Sequence, residues 1–116
     1  MAVSVEPGSF QERDEAVALI QAQGLFARDG AMGKGDLEDV HWHKTSLRIY
    51  LLSGKFETLD VSSDQMLIAG PGDLITIPSE TLHAASCPEP AVYVVGFESE
   101  DAAKRFRPES RDDYPG

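Results

Sequence analysis

The chain contains three histidines, and two of them, His41 and His43, stand either side of a single tryptophan. Successive side chains of a β-strand point to opposite faces. His-Trp-His on a strand therefore presents two imidazoles side by side and turns Trp42 the other way, as a packing or interface aromatic. Imidazole nitrogens suit zinc, copper, iron and nickel, and a third imidazole from a neighbouring strand would complete a facial set of ligands. His83 follows Pro78-Ser-Glu-Thr-Leu, where the chain enters another short strand. No further histidine is available as a general base. The candidates for proton transfer are Tyr50 and Tyr93, with Glu57 and Cys87 behind them. Cys87 is the single cysteine, so no internal disulfide forms; a small buried hydrophobe is its plainest role.

The elements that must position these groups follow from periodicity. Ser9 and Glu12 have capping-box spacing, Phe10, Ala16, Val17, Leu19 and Ile20 recur at helical intervals, and Gly24 supplies a left-handed stop. This predicts a helix over about 10–23 that covers the barrel or a partner. From Leu25 onward the period shortens to short β-branched and aromatic runs separated by Gly, Pro, Asp and Ser. Strands are expected near 25–29, 38–44, 46–53, 55–61, 65–69, 73–78, 82–87 and 91–98. Turns are expected at Ser53-Gly54, Ser62-Ser63-Asp64 and Gly70-Pro71-Gly72. Many short strands at even spacing indicate a sandwich or closed barrel. A second short helix is expected over about 99–106. Gly30-Ala-Met-Gly33-Lys34-Gly35 lacks the Ser or Thr of a phosphate-binding loop after Lys34, and reads as a flexible loop.

At 116 residues the expected organisation is one domain, with a barrel core over about 25–98 and flexible ends at 1–8 and 107–116. The net charge of -10 repels phosphate backbones and anionic membrane surfaces, which argues against a nucleic-acid or membrane partner. Part of that excess lies in Glu98, Glu100, Asp101, Glu109, Asp112 and Asp113, read as a solvated tail. No apolar run approaches the roughly 20 residues of a membrane span. The Met-Ala-Val-Ser-Val-Glu-Pro start lacks a secretory pattern, so a cytoplasmic location is expected.

The spacing of glycines around the histidines resembles the cupin superfamily, whose first motif runs G-x5-H-x-H-x3,4-E-x6-G and whose second runs G-x5-P-x-G-x2-H-x3-N. Gly35, His41, His43 and Gly54 match the first, and Gly72, Pro78 and His83 match the second, with 17 residues between Gly54 and Gly72. The resemblance spans about residues 35–87. Three positions depart from it. Six intervening residues before Gly54 put Leu47 where the family carries a metal-binding Glu. Four intervening residues after His43 put Arg48 there instead, but Leu47 has the strand parity of His41 and His43, and Arg48 should face outward. Glu80 takes the Gly position of the second motif, in a solvent-facing turn, and Cys87 takes the Asn position.

The resemblance implies an all-β, cupin-type antiparallel barrel, a double-stranded β-helix or jelly roll, with a short N-terminal helix. It implies one divalent transition metal ion (iron, nickel, zinc or manganese) held by His41, His43 and His83, as in three-histidine cupin oxygenases, and assembly as a homodimer. By parity Thr45, Leu47, Ile49 and Leu51 share the histidine face, and Ala85 and Cys87 share that of His83, giving an apolar pocket for a small organic ligand. Three neutral imidazoles leave the charge of a divalent ion uncompensated, which favours an anionic ligand. The expected function is a metal-dependent, dioxygenase-like enzyme acting on a small anionic or carbonyl-containing metabolite. Isomerase, lyase and hydrolytic chemistry share the same basis. A non-catalytic cupin that binds a metabolite or metal is the alternative, and a structural dimer with a vestigial pocket is the third reading.

Overall fold

The short-period region becomes a set of antiparallel strands, described with the rest of residues 2–115 in a computed structural model. The strands are β1 Ser4–Pro7, β2 Phe26–Met32, β3 Leu37–Trp42, β4 Leu47–Asp60, β5 Gln65–Ala69, β6 Asp73–Ile77, β7 His83–Phe97 and β8 Glu109–Ser110. Helices α1 Arg13–Ala22 and α2 Glu100–Arg105 and a 3-10 turn at Arg111–Asp113 accompany them. No helix among the described residues is long and apolar enough to cross a membrane.

Two long strands organise the barrel. The sequence suggested four shorter strands and a turn at Ser53-Gly54, but residues 46–53 and 55–61 are essentially the continuous β4, and 82–87 and 91–98 the continuous β7. The two pair with each other, and their register slips repeatedly between Leu51 and Glu57. Gly54 lies in that slip with φ +86°, and a Cβ there would collide with the Pro90 carbonyl. The glycine therefore marks a bend within a strand and not a hairpin turn. On one side of the bend, Leu47–Tyr50 lies between β6 and the Phe97–Val94 end of β7, with β1 beyond β6 and β2 on β7. On the other side, Phe56–Asp60 lies between β5 and the Ser86–His83 end of β7, followed by β3 and β8. Two sheets joined through shared bent strands form a β-barrel of the jelly-roll kind.

Burial follows strand parity. Leu47, Ile49, Leu51, Phe56, Ile75, Ile77, Ala85, Cys87, Val95 and Phe97 fill the interior. Tyr50, Leu74 and Val94 point the opposite way and are buried with Phe10, Ala16 and Ile20 beneath α1. The first half of β4 is thus covered on both faces, which accounts for its near-continuous apolar composition.

The helix begins later than its capping box suggested. Glu12 is the N-cap, and Glu15 Oε1 accepts from the amides of Gln11 and Glu12 at 3.1 and 3.2 Å. Phe10 is withdrawn from the helix to pack edge-on against Tyr50, with ring centroids 5.2 Å apart. Burying that ring outweighs one hydroxyl cap. Gly24, at φ +75°, ends the helix as expected.

The chain ends are also ordered into the sheet. Val3 is buried and Ser4–Pro7 pairs with β6, replacing the irregular arm expected over 1–8. In place of a free acidic tail, Glu109–Ser110 pairs with β3, and the Tyr114 hydroxyl donates to the Glu80 carbonyl at 2.8 Å. Met1 and Gly116, also assigned to the flexible ends, lie outside the described residues. Gly30–Met32 belongs to β2, so the expected glycine-rich loop shrinks to a turn at 33–35. That turn is held by the Gly33 amide on Asp36 and the Gly35 amide on the Cys87 carbonyl, both at 2.8 Å.

Candidate metal centre

His41 lies near the end of β3, His43 one residue beyond it, and His83 opens β7 directly opposite His41 in the register. All three are buried, and one nitrogen from each lies within 4.8 Å of the others. The centroids of the three rings are 4.3 to 4.8 Å apart. Backbone carbonyls orient two of them: His41 Nδ1 is 2.6 Å from the Asp39 oxygen, and His83 Nδ1 is 2.8 Å from the Thr81 oxygen. Carbonyls only accept, so each Nδ1 donates to its carbonyl, leaving Nε2 as the nitrogen available to the cluster. Glu80 adopts φ +54° at the position where the motif has glycine, and its amide donates to the His43 carbonyl at 2.8 Å. This turn ties the two histidine-bearing segments together just ahead of His83.

The electrostatics keep His43 and His83 neutral. Burial, followed by the neighbouring rings of His83 and His41, lowers the pKa of His43 to about 3. Burial likewise lowers that of His83 to about 4, against the raising influence of the Thr81 carbonyl and of Asp60. His41 Nε2 and both nitrogens of His43 are buried without a hydrogen-bond partner among the described residues. Buried polar atoms are normally satisfied. A cluster of unpaired imidazole nitrogens therefore fits a metal ion, and His41, His43 and His83 are the residues that could hold it.

Two of the three, His43 and His83, line a cavity of about 390 Å³, whereas His41 lines a neighbouring groove with residues 108–112. Leu47, Ile49, Phe56, Ile77, Ala85, Tyr93, Val95, Phe97 and Phe106 supply its apolar lining. Leu47, the residue at the motif's carboxylate position, thus does face the histidines. Leu51 and Cys87 are buried in the same core but are not among the lining residues. The Cys87 Sγ–H donates to the Glu89 carbonyl at 2.7 Å, and burial pushes the thiol's pKa up, which suits a buried hydrophobe.

Of the two tyrosines, Tyr93 lines the cavity. Burial, and then the Glu38 carboxylate, raise its pKa, so the phenol stays protonated and can donate. Tyr50 is a correction: it packs under α1 on the opposite face of β4, and its hydroxyl accepts from Gln23 Nε2 at 2.9 Å. Its parity differs by one from Leu47 and Ile49, which alone removes it from the pocket. Glu57 lies in a groove on the outer surface with Leu37 and Met66. Trp42 is buried against the C-terminal segment, its indole N–H donating to the Ser110 carbonyl at 2.9 Å.

Four contributors escaped the sequence reading. Glu38 reaches within 3.3 Å of His41. Arg28 stands at the cavity rim, its Nη1 donating to the Ala103 carbonyl at 2.8 Å and its guanidinium 4.6 Å from the Phe97 ring centre. Phe106 packs at a tilt against His43, with ring centroids 4.7 Å apart. Asp60, buried opposite His83 in the register, accepts from the Ser63 hydroxyl at 2.6 Å. Both strands carry other charged residues, so nothing in the sequence singled out Arg28 or Asp60.

No protein-family model and no curated protein matches the chain by sequence. Solved structures do match by shape. One is an RmlC-like cupin from Shewanella frigidimarina, with a TM-score of 0.54 and 23% identity, covering 78% of this chain and 70% of that one. A second is DMSP lyase DddQ from Ruegeria pomeroyi, at 0.56 and 25%, covering 64% of this chain and 38% of the lyase. A third is a variant of salicylate 1,2-dioxygenase from Pseudoaminobacter salicylatoxidans in complex with gentisate, at 0.58 and 10%, covering 73% of this chain and 24% of the dioxygenase. The chain thus spans well under half the length of either enzyme. The strand arrangement, the spacing of glycines and histidines and these likenesses make the chain a protein of the cupin fold.

Proposed function

We propose that the protein is a metal-dependent cupin enzyme, dioxygenase-like in its chemistry, acting on a small anionic or carbonyl-containing metabolite. The observation that carries this reading is the convergence of three buried imidazoles with unpaired nitrogens beside a largely apolar cavity. His41, His43 and His83 would hold a divalent transition metal, which when bound supplies Lewis-acid or redox chemistry to a chelated ligand. The chain's own groups do the rest. The apolar wall of Leu47, Ile49, Phe56 and Ile77 excludes water, and Phe106 packs over His43. Tyr93, as a protonated phenol, donates a hydrogen bond to a ligand oxygen. Arg28, pinned at the rim against Phe97 and the Ala103 carbonyl, attracts an anionic group in a chain that is otherwise strongly acidic. A salicylate dioxygenase and a DMSP lyase among the cupin neighbours support small-molecule chemistry in this fold.

The alternative is a binding module without turnover, favoured by Leu47 standing where the motif has a metal-binding carboxylate. Elemental analysis of untagged, chelator-free protein beside His83→Ala, followed by oxygen-uptake assays with small keto, hydroxy and thiol acids after anaerobic iron(II) loading, tests both. Near one equivalent of metal, lost in the variant, with substrate-dependent oxygen uptake, is the expected result. Metal without turnover leaves the binding module, and no metal after reconstitution removes the enzyme reading and leaves only a metal-free module. A cytoplasmic homodimer organised as one domain completes the proposal; exposed Leu37, Met66 and Ile68 are apolar surface suited to self-association.

A further inference from the structure

The carboxylate absent at Leu47 has a substitute on another strand. In β3, Glu38 pairs with Ala85 and His41 pairs with His83, so three steps along β3 match two along β7. The extra residue reverses the alternation. Positions 38 and 41 would face opposite sides of a regular strand, whereas here Glu38 shares the cavity with His43, His83 and Ala85. Leu37, across from Ser86, is turned outward and is 78% exposed.

Glu38 Oε2 comes within 3.3 Å of His41 Nε2, yet no hydrogen bond joins them. His41 Nδ1 faces the Asp39 carbonyl, which leaves Nε2 as the ring nitrogen turned toward the carboxylate. A cation seated between the two would be attracted by the carboxylate and reachable by the imidazole nitrogen. His43 and His83 cluster with His41, and Glu38 lines the same cavity as His43 and His83. Leu47, in contrast, offers only methyl groups there.

We propose that Glu38 is the carboxylate ligand of this metal centre, delivered by the bulge in β3 in place of the position the cupin motif assigns to Leu47. The inference rests on the three-histidine reading and deepens it. The donor set becomes three neutral nitrogens and one anionic oxygen. That set favours iron(II), manganese(II) or zinc(II) over copper(I) and halves the formal charge left for a substrate anion to neutralise. Glu38 keeps part of its side chain in water, so its removal spares the fold.

The test is anaerobic zinc(II) titration of the metal-free parent, of Glu38→Gln and of Glu89→Gln, which removes the same charge from an exposed site on β7. Each is paired with an infrared difference spectrum of the zinc-bound minus metal-free protein. The parent is expected to bind one equivalent and to show a shifted carboxylate band. Glu38→Gln should bind about 10- to 100-fold more weakly and lose that band. Glu89→Gln should match the parent in both. Affinity within about twofold of the parent, or a persisting band, in Glu38→Gln overturns the carboxylate assignment and leaves a three-histidine centre standing. A parent that takes up no zinc overturns both.

Discussion

Replacing His43 by methionine should stabilise the metal-free protein and destabilise the metal-loaded one, relative to the parent. His43 is 3% exposed, and neither ring nitrogen has a partner among the described residues. An unsatisfied buried polar group costs about 1–3 kcal/mol. Methionine has a similar volume, no strong polar atom and enough freedom to pack against Phe106, so part of that cost is recovered. Allowing for imperfect repacking, the substitution should raise the metal-free unfolding free energy by ~1–2 kcal/mol. Metal acts in the opposite sense. At a free concentration 100 times its dissociation constant, a ligand stabilises the fold by about 2.7 kcal/mol. His43→Met should forgo most of this, so the order of stabilities reverses on loading. Urea denaturation of both proteins, with chelator and with saturating zinc(II), measures all four values. The thermal midpoints should differ by roughly 4 °C per kcal/mol at this size. A metal-free variant less stable than the parent by more than about 1 kcal/mol would show that His43 stabilises the apo fold. A variant that gains as much from zinc as the parent would remove His43 from the centre.

Three further outcomes are expected. Gly54→Ala should cost ~3 kcal/mol or more in urea unfolding, combining a left-handed conformation with a clash against the Pro90 carbonyl that only movement of a long strand relieves; a loss under about 1 kcal/mol refutes the steric account. In chelated protein, the unfolded chain takes up protons on His43 and His83 as pH falls through 6.5, while the folded chain holds them neutral to about 3 and about 4. The unfolded state therefore binds more protons across that window. Stability should be fully present above pH 6.5 and decline on acidification toward 4, more shallowly in His43→Met; a parent profile flat from 7 to 4 contradicts this. Finally, Tyr93→Phe should weaken binding of anionic ligands by about 10-fold, as loss of one hydrogen bond implies. Tyr50→Phe should leave ligand binding intact and lower stability by ~0.5–1.5 kcal/mol through the lost Gln23 contact; equal effects on binding undo the placement of the two rings.

Local spacing carried much of the molecule. His-Trp-His at the end of a strand, the Gly54 and Gly72 positions, Gly24 after the helix and the alternation of Leu47, Ile49 and Leu51 are readable because strand and helix periods dictate which side chains share a face. The same rule separates Tyr50 from the pocket, once Leu47 and Ile49 face inward. Other features needed the tertiary structure. A bend inside a strand and a hairpin turn use the same glycine-containing pattern, and only the partner strand distinguishes them, so β4 and β7 read as four pieces. Phe10 left the helix because a core awaited it across the β4 face, and the acidic C-terminal segment joined β3 because Trp42 offered it a hydrogen bond and an aromatic edge. Glu38 lay three residues before His41, on the wrong face by alternation. One extra residue in β3, defined only by its pairing with β7, turned that carboxylate toward the histidines.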